Sequence, residues 1–247
     1  MFDVKVLKKY DVSYHQCPSC ELLQSEKPFW LEEAYQNAII DADTGLVQRN
    51  IWTAKRLSAI LFFLVNKNGS YLDVAGGYGM LTRLMRDYGF NFYWSDPFCE
   101  NILAKGFEAD KCRLKFEGLT AFEVLEHVEN PIDFLRQMMS NHDCKTLVFT
   151  TTLYDGKVPD LSWWYYTFDE GQHISFYTKK TLETIAKKLG LNFYSNNGVH
   201  YFSPKPINTY LFGLFTGRFS SIFSFFVSRR LKSLTFSDHQ KLTGANY

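Results

Sequence analysis

The apolar positions change their spacing several times along the chain, and each change marks an element. Residues 70–75 are a short apolar run that carries Asp73 and leads into Gly76, Gly77 and Gly79. That pattern predicts a buried strand, a tight turn free of Cβ atoms, and an amphipathic helix from Met80 to about Tyr88. A strand–glycine turn–helix unit lets backbone amides approach a ligand at the mouth of a parallel sheet. Residues 90–95 predict a second strand ending at Asp96-Pro97, then a helix over about 99–105 that Gly106 stops. Residues 107–109 read as a short third strand, 114–122 as a fourth and the β-branched run 146–152 as a fifth. Asn130-Pro131 opens a helix to about Asn141, and 179–189 predicts another that Gly190 caps. Residues 192–194 and 199–202 read as a hairpin around Asn196-Asn197-Gly198. Alternating strands and helices at this pace predict an α/β fold with a doubly wound, mostly parallel sheet of seven strands.

The flanks carry other patterns. In residues 29–65, Trp30, Ala34, Tyr35, Ile39 and Ile40 recur at helical spacing, and Asp43-Thr44-Gly45 breaks the run. A second helix over about 46–66 turns Ile51, Trp52, Leu57, Ile60, Leu61 and Leu64 toward a core, and Asn68-Gly69 stops it. These helices are expected to cover the sheet edge as a lid, with Tyr35 contacting a ligand or packing in the core. The loop 153–172, with Trp163, Trp164, Tyr165 and Tyr166, is expected to overhang the pocket, its rings either stacking on a substrate or packing in the loop. The tail is strongly apolar, broken by Gly213 and Gly217 and followed by Arg229, Arg230 and Lys232. Three readings fit it: packing on the parent domain, a homodimer face, or interfacial membrane contact. Residues 1–28, 29–202 and 203–247 are thus expected to be a knuckle, the main domain, and a helical extension.

Composition narrows the class. With 27 Lys and Arg against 26 Asp and Glu, no global field suggests nucleic acid or an anionic membrane as partner. No run reaches the roughly 18 apolar residues of a spanning helix, and the first ten residues lack a signal-peptide core, so the cytoplasm is the expected location. Five cysteines make a poor disulfide framework. Cys17 and Cys20 form a C-x2-C that suits zinc, with His15 as a third ligand, but a structural zinc needs four. The pattern looks like half a zinc ribbon, and a vestigial knuckle or two free thiols are the other readings.

Asp96 lies about 17 residues past the last glycine, where a carboxylate suits a ribose diol. The order Asp73-x-Ala75-x-Gly77-x-Gly79, then Asp96, then Glu123-Val-Leu-Glu126-His127 resembles the class I S-adenosylmethionine-dependent methyltransferases over residues 29–202. Ala75 stands where the family has its first glycine and adds one methyl group. The resemblance implies a Rossmann-like methyltransferase fold with helical N- and C-terminal extensions. It implies that Asp73 and the turn of Ala75, Gly76, Gly77 and Gly79 hold the methionine part of S-adenosylmethionine. Asp96 with Pro97 would hold the ribose, with Glu123 and Tyr35 nearby. Glu108 and Asp110 lie near the family's adenine contact.

For methyl transfer the protein must orient the acceptor and receive or tolerate its proton. His127 supported by Glu126, with His173, is the candidate catalytic group; bracing the following helix is its structural alternative. Glu123-x-x-Glu126-His127 also resembles the metal motif of ubiquinone-biosynthesis and small-RNA 2′-O-methyltransferases. Glu123, Glu126, His127 and His173 would then hold a divalent ion. The half zinc ribbon and aromatic loop resemble methyltransferases of sugar-nucleotide pathways. The expected activity is O-methylation of a small sugar or sugar-nucleotide-like acceptor, with no nucleic acid partner. A non-catalytic interaction module, or a C- or N-methyltransferase of a small metabolite, is the alternative.

Overall fold

The computed structural model describes residues 1–36, 43–112 and 114–244. It begins with a three-stranded antiparallel meander, β1 (Phe2–Val6), β2 (Tyr10–Gln16) and β3 (Leu23–Ser25). Where helical spacing predicts a first lid helix, only α1 (Leu31–Ala34) forms among the described residues, with Trp30 and Ala34 buried. Ile39 and Ile40 lie outside them. The second lid helix forms as expected: α2 (Leu46–Ile60) ends in a π-helical turn over Leu61–Asn66.

The strand–turn–helix unit follows as β4 (Ser70–Val74) and α3 (Met80–Asp87), then β5 (Asn91–Ser95). Next come β6 (Gly118–Phe122), α4 (Pro131–Asn141), β7 (Leu147–Thr150) and the two-residue β8 (Ser175–Phe176). After α5 (Lys179–Leu189), the hairpin β9 (Asn192–Asn196) and β10 (Val199–Ser203) closes the main sheet. Asn197 and Gly198 both take positive φ in its turn, as an Asn-Gly hairpin requires. Asn130 and Gly190 also perform as read: the Asn130 side chain accepts from Asp133 N, and Gly190 adopts the left-handed cap.

The main sheet has the order β5-β4-β6-β7-β10-β9, with β4, β5, β6 and β7 parallel and β10 antiparallel to both neighbours. Among the described residues six strands form this sheet where seven are expected. The missing edge strand is reduced to a single parallel bridge between Trp94 and Glu108. Glu108 directs its carboxylate back onto its own loop, accepting from Gly106 N, Asn101 Nδ2 and Lys111 Nζ. The helix expected over 99–105 is absent as well. There Ile102 N and Leu103 N donate to Tyr78 O, and Asn101 Oδ1 accepts from Ala104 N, so the segment is pinned in an irregular path.

Two apolar clusters sandwich this sheet. One packs Leu135, Leu182 and Ile185 of α4 and α5 against Leu119, Leu147 and Phe149; the other packs α2 and α3 against Tyr71, Phe92 and Val148. The tail supplies α6 (Thr209–Thr216), α7 (Ser220–Arg230) and α8 (Thr235–Thr243). Phe212, Phe215 and Val227 enter the second cluster, so part of the tail packs on the parent domain. Helix α8 is anchored by Asp238, buried against Arg86 in a bidentate pair of 2.7 and 2.6 Å. The N-terminal meander is tied to the rest of the chain through β8, which pairs with β3. That pairing has consequences for the site.

Candidate active site

At the carboxyl end of β4, Asp73 is buried and its Oδ1 accepts from Thr120 Oγ1 at 2.7 Å. Burial pushes its carboxyl up to about 7, with the Thr120 hydroxyl opposing the shift and Asp96 adding to it. Ala75, Gly77 and Gly79 follow at φ of 56°, 54° and 85°. The departure at Ala75 is therefore one of backbone strain as well as bulk, since the left-handed region costs an L-residue about 1–2 kcal/mol. Gly76 is fixed by space instead: a Cβ there would lie 2.7 Å from Trp94 Cδ1. Gly77 N donates to Asp96 Oδ2 at 2.8 Å, and Trp94 Nε1 donates to Gly77 O at 2.9 Å. Phe98 N and Cys99 N donate to Asp96 Oδ1 at 2.7 and 3.0 Å. Three amides thus fix the Asp96 carboxylate at the end of β5, with lone pairs to spare.

Opposite this turn, the chain leaves β6 through Glu123, a non-glycine residue at φ 54°. Thr150 Oγ1 on β7 accepts from Glu123 N and donates to Glu123 Oε1 at 2.5 Å, which aims the side chain. A short 3-10 turn over Leu125–His127 then meets β8. Ile174 N donates to Glu126 O, Ser175 Oγ to Val128 O and Tyr177 Oη to Leu125 O, all at 2.7–2.8 Å. This lacing carries His173 to His127, with ring centroids 4.8 Å apart. The ligand atoms of Glu126, His127 and His173 all lie within 4.8 Å of one another.

The protonation of this trio follows from its partners. His127 Nδ1 lies 3.0 Å from Gln172 O, and His173 Nδ1 lies 2.7 Å from Tyr165 O. A carbonyl only accepts, so each Nδ1 carries the proton and each Nε2 keeps its lone pair. Burial holds His127 down to about 3, with His173 adding to the effect, and holds His173 down to about 4. Glu126 is fully buried, and neither of its oxygens has a hydrogen-bond partner among the described residues. The Tyr165 and Thr151 hydroxyls stand close by and oppose the shift; they lie 3.3 Å from each other, and a bond between them uses only one of their two protons. Burial first, then the Glu123 carboxylate, raise its pKa well above the ordinary carboxylate range.

Both halves open on one cavity of about 1390 Å³. Pockets for one drug-sized ligand span roughly 300–1,000 Å³, so the space suits a cofactor and an acceptor together. Asp73, Ala75, Gly76, Gly77, Asp96, Pro97, Glu123, Tyr35, His127 and His173 all line it, while Gly79 and Glu126 sit behind the lining. Tyr35 stacks on Phe98 at 5.7 Å and meets His127 edge-on at 6.1 Å. The aromatic loop divides: Tyr166 is buried away from the cavity, Tyr165 is buried in its wall, and Trp164 lines it at 72% exposure. Glu108 and Asp110 do not line it. Cys17, Cys20 and His15 do not form a three-ligand cluster among the described residues. His15 lies on β2 paired with Gln24, while the Ser19 hydroxyl draws the Cys17 thiol down to about 6.

Periodicity turns Ile51 and Trp52 toward the core along with Leu57, Ile60 and Leu61, but both are exposed, because only the C-terminal half of α2 packs on the sheet, and Trp52 lies on a second stripe. Arg49, Trp52, Thr53 and Arg56, at i, i+3, i+4 and i+7, face the cavity. Asp43 holds Arg49 in a bidentate pair at 2.8 and 2.7 Å. Arg56 donates only to Asn197 O, at 3.3 Å, and has no acidic partner among the described residues. Two arginines seven residues apart on one helix face were the available signal.

A mostly parallel sheet with one antiparallel strand inserted near its edge, a glycine turn after its first parallel strand and an acid after the next define the class I methyltransferase architecture. The chain belongs to the methyltransferase-domain family, whose model matches residues 49–196, more than half of its length. Among solved structures it is similar to TnmH, at 16% identity and a TM-score of 0.46, covering 71% of this chain and 60% of that one. It is also similar to the mitomycin 7-O-methyltransferase MmcR, at 14% identity and 0.46, covering 70% and 59%. A third is the magnesium protoporphyrin IX methyltransferase ChlM from Synechocystis PCC 6803 with bound SAH, at 14% and 0.44, covering 70% and 90%. The chain thus spans about 60% of the length of the first two. No curated protein sequence matches it.

Proposed function

We propose that the protein transfers the methyl group of S-adenosylmethionine to an oxygen of a small sugar- or sugar-nucleotide-like acceptor, aided by a divalent cation. The observation that carries this reading is the convergence of Glu126, His127 and His173 beside the cavity that the glycine turn and Asp96 open. S-adenosylmethionine, when bound, supplies a methyl group on a sulfonium leaving group. Asp73 and the turn from Ala75 to Gly77 suit its amino-acid end, and Asp96, held by three amides, suits the ribose diol.

The trio fits a cation. Two imidazoles whose outer hydrogen bonds are made, each with Nδ1–H on a carbonyl, and a buried carboxyl without a partner among the described residues form a donor set for it. A divalent ion there would lower the pKa of an acceptor hydroxyl. Imidazoles held as low as His127 and His173 are poor proton acceptors but good lone-pair donors, so the ligand role suits them better than general base. Glu123, aimed by Thr150, lines the cavity beside them and is the carboxylate positioned to receive the acceptor's proton.

The stripe on α2 supports an anionic acceptor. Arg56 lies two turns from Arg49, about 10 Å along the helix, and has no acidic partner among the described residues. Trp164, exposed and lining the cavity, suits stacking on a sugar or base.

Calorimetry with S-adenosylhomocysteine tests the cofactor assignment. Wild type should bind, and Asp96→Ala should bind about 10- to 100-fold more weakly, the range for a lost charged hydrogen bond. Absence of any heat or thermal shift from either cofactor form would remove the enzyme reading and leave a non-catalytic module. Arg56→Gln should weaken binding of a nucleoside diphosphate while leaving S-adenosylhomocysteine affinity unchanged.

A further inference from the structure

Helix α7 is turned inside out relative to an ordinary surface helix. Ser220, Ser224 and Val227, at i, i+4 and i+7, form its buried face. The Ser224 hydroxyl sits 2.7 Å from the Tyr88 hydroxyl, tying that face to the domain. On the outer side, Ile222 and Phe225 are 65% and 61% exposed, flanked by Phe219 and Phe226. Water favours the opposite arrangement, with polar residues outward and large apolar ones inward. Phe63, exposed in the π-helical turn after α2, stacks on Phe226 at 5.9 Å and extends the patch. Contiguous apolar surface of this kind with a polar rim marks an interaction face.

Charge selects the occupant. No Asp or Glu occurs between Glu183 and Asp238. Over the same patch, Arg218, Arg229 and Arg230 lie above the rings of Phe219, Phe225 and Phe226 at 5.0, 5.1 and 4.8 Å. The chain's overall charge of +1 conceals this, because its acids are concentrated elsewhere. A second copy meeting the patch through a two-fold axis would bring the cationic face against itself. An anionic lipid surface meets both requirements: the rings and Ile222 enter the headgroup boundary while the guanidinium groups stay at the phosphates. We propose that α7 and Phe63 dock the protein peripherally on an anionic lipid bilayer. Helices α6 and α7 meet at 92°, and Phe212, Phe215 and Val227 of the pair are buried in the domain, so the outer face of α7 is what a bilayer can meet, along its surface.

Cosedimentation with vesicles tests this without reference to methyl transfer. Wild type should sediment with phosphatidylcholine vesicles containing one-third phosphatidylglycerol and remain in the supernatant with phosphatidylcholine alone. The double substitution Ile222→Ser/Phe225→Ser should weaken binding at least about tenfold, given the apolar area removed. Because both side chains are exposed, its melting temperature should not fall. Arg229→Gln/Arg230→Gln should weaken binding roughly 30-fold. The proposal is overturned if wild type ignores the anionic vesicles, or if the double serine variant sediments as wild type does. A wild-type dimer that the serine variant dissolves, with no vesicle binding, would assign the face to a second copy and overturn it as well.

Discussion

Replacing Glu126 by leucine should make the protein more stable and less able to hold a cation. The two side chains are of similar size, and Glu126 is fully buried with neither oxygen hydrogen-bonded among the described residues. A buried polar group left unsatisfied costs about 1–3 kcal/mol, and leucine removes that cost without breaking a bond. In chelator-treated protein, Glu126→Leu should therefore gain about 1–3 kcal/mol, a rise in Tm of roughly 2–12 °C for a chain of this size. Manganese should reverse the order. A cation at a hundred times its Kd stabilises wild type by about 2.7 kcal/mol, whereas the variant, with one of three donors gone, should respond far less. Differential scanning fluorimetry with chelator and then with manganese chloride reads both effects. If the chelated variant melts below wild type, Glu126 has a structural partner and the carboxylate is an ordinary core group. If manganese raises both Tm values equally, the trio does not bind the ion.

Ala75→Gly relieves a left-handed backbone at φ 56°. The strain of about 1–2 kcal/mol, less the roughly 0.4–1 kcal/mol that glycine adds to the entropy of the unfolded chain, predicts a gain of up to about 1.6 kcal/mol; a lower urea midpoint would refute it. Asp238→Ala leaves Arg86 buried without its bidentate partner, and should cost about 3–5 kcal/mol; a loss under about 1 kcal/mol by chemical denaturation would show that α8 is not an anchor. Asp73 has a folded pKa of about 7 against an ordinary 3.8, so the native state binds its proton more tightly. That contribution is complete below pH 3.8 and is lost as pH rises to about 7, amounting to at most about 4 kcal/mol at 1.36 kcal/mol per unit. Asp73→Asn should accordingly flatten the fall in stability across this window, and parallel pH profiles would refute the assignment.

Local chemistry determined much of the main domain. Apolar runs of strand length, Asn130-Pro131, the Asn197-Gly198 turn and Gly190 each act through their own backbone preferences, and each was legible without tertiary contacts. The glycine turn and Asp96 were legible for the same reason, since a close ligand approach restricts residue type at fixed spacing. The edge strand was not: residues 107–109 have strand-like apolar character, but Glu108 satisfies its own loop instead of extending the sheet. The predicted helix over 99–105 failed similarly, because hydrogen bonds to Tyr78 O and Asn101 Oδ1 hold the backbone otherwise.

The chemistry of the site divides the same way. Glu126 and His127 are neighbours in sequence, but His173 reaches them only because β8 is laced to the turn over Leu125–His127. That Glu126 lacks a partner and Arg56 an acid among the described residues, and that α7 turns phenylalanines outward, are facts about what each side chain fails to meet. Sequence by itself fixes which groups a residue offers and the local conformations it favours. Which of those groups find partners depends on segments distant along the chain packing together, and only the tertiary structure decides that.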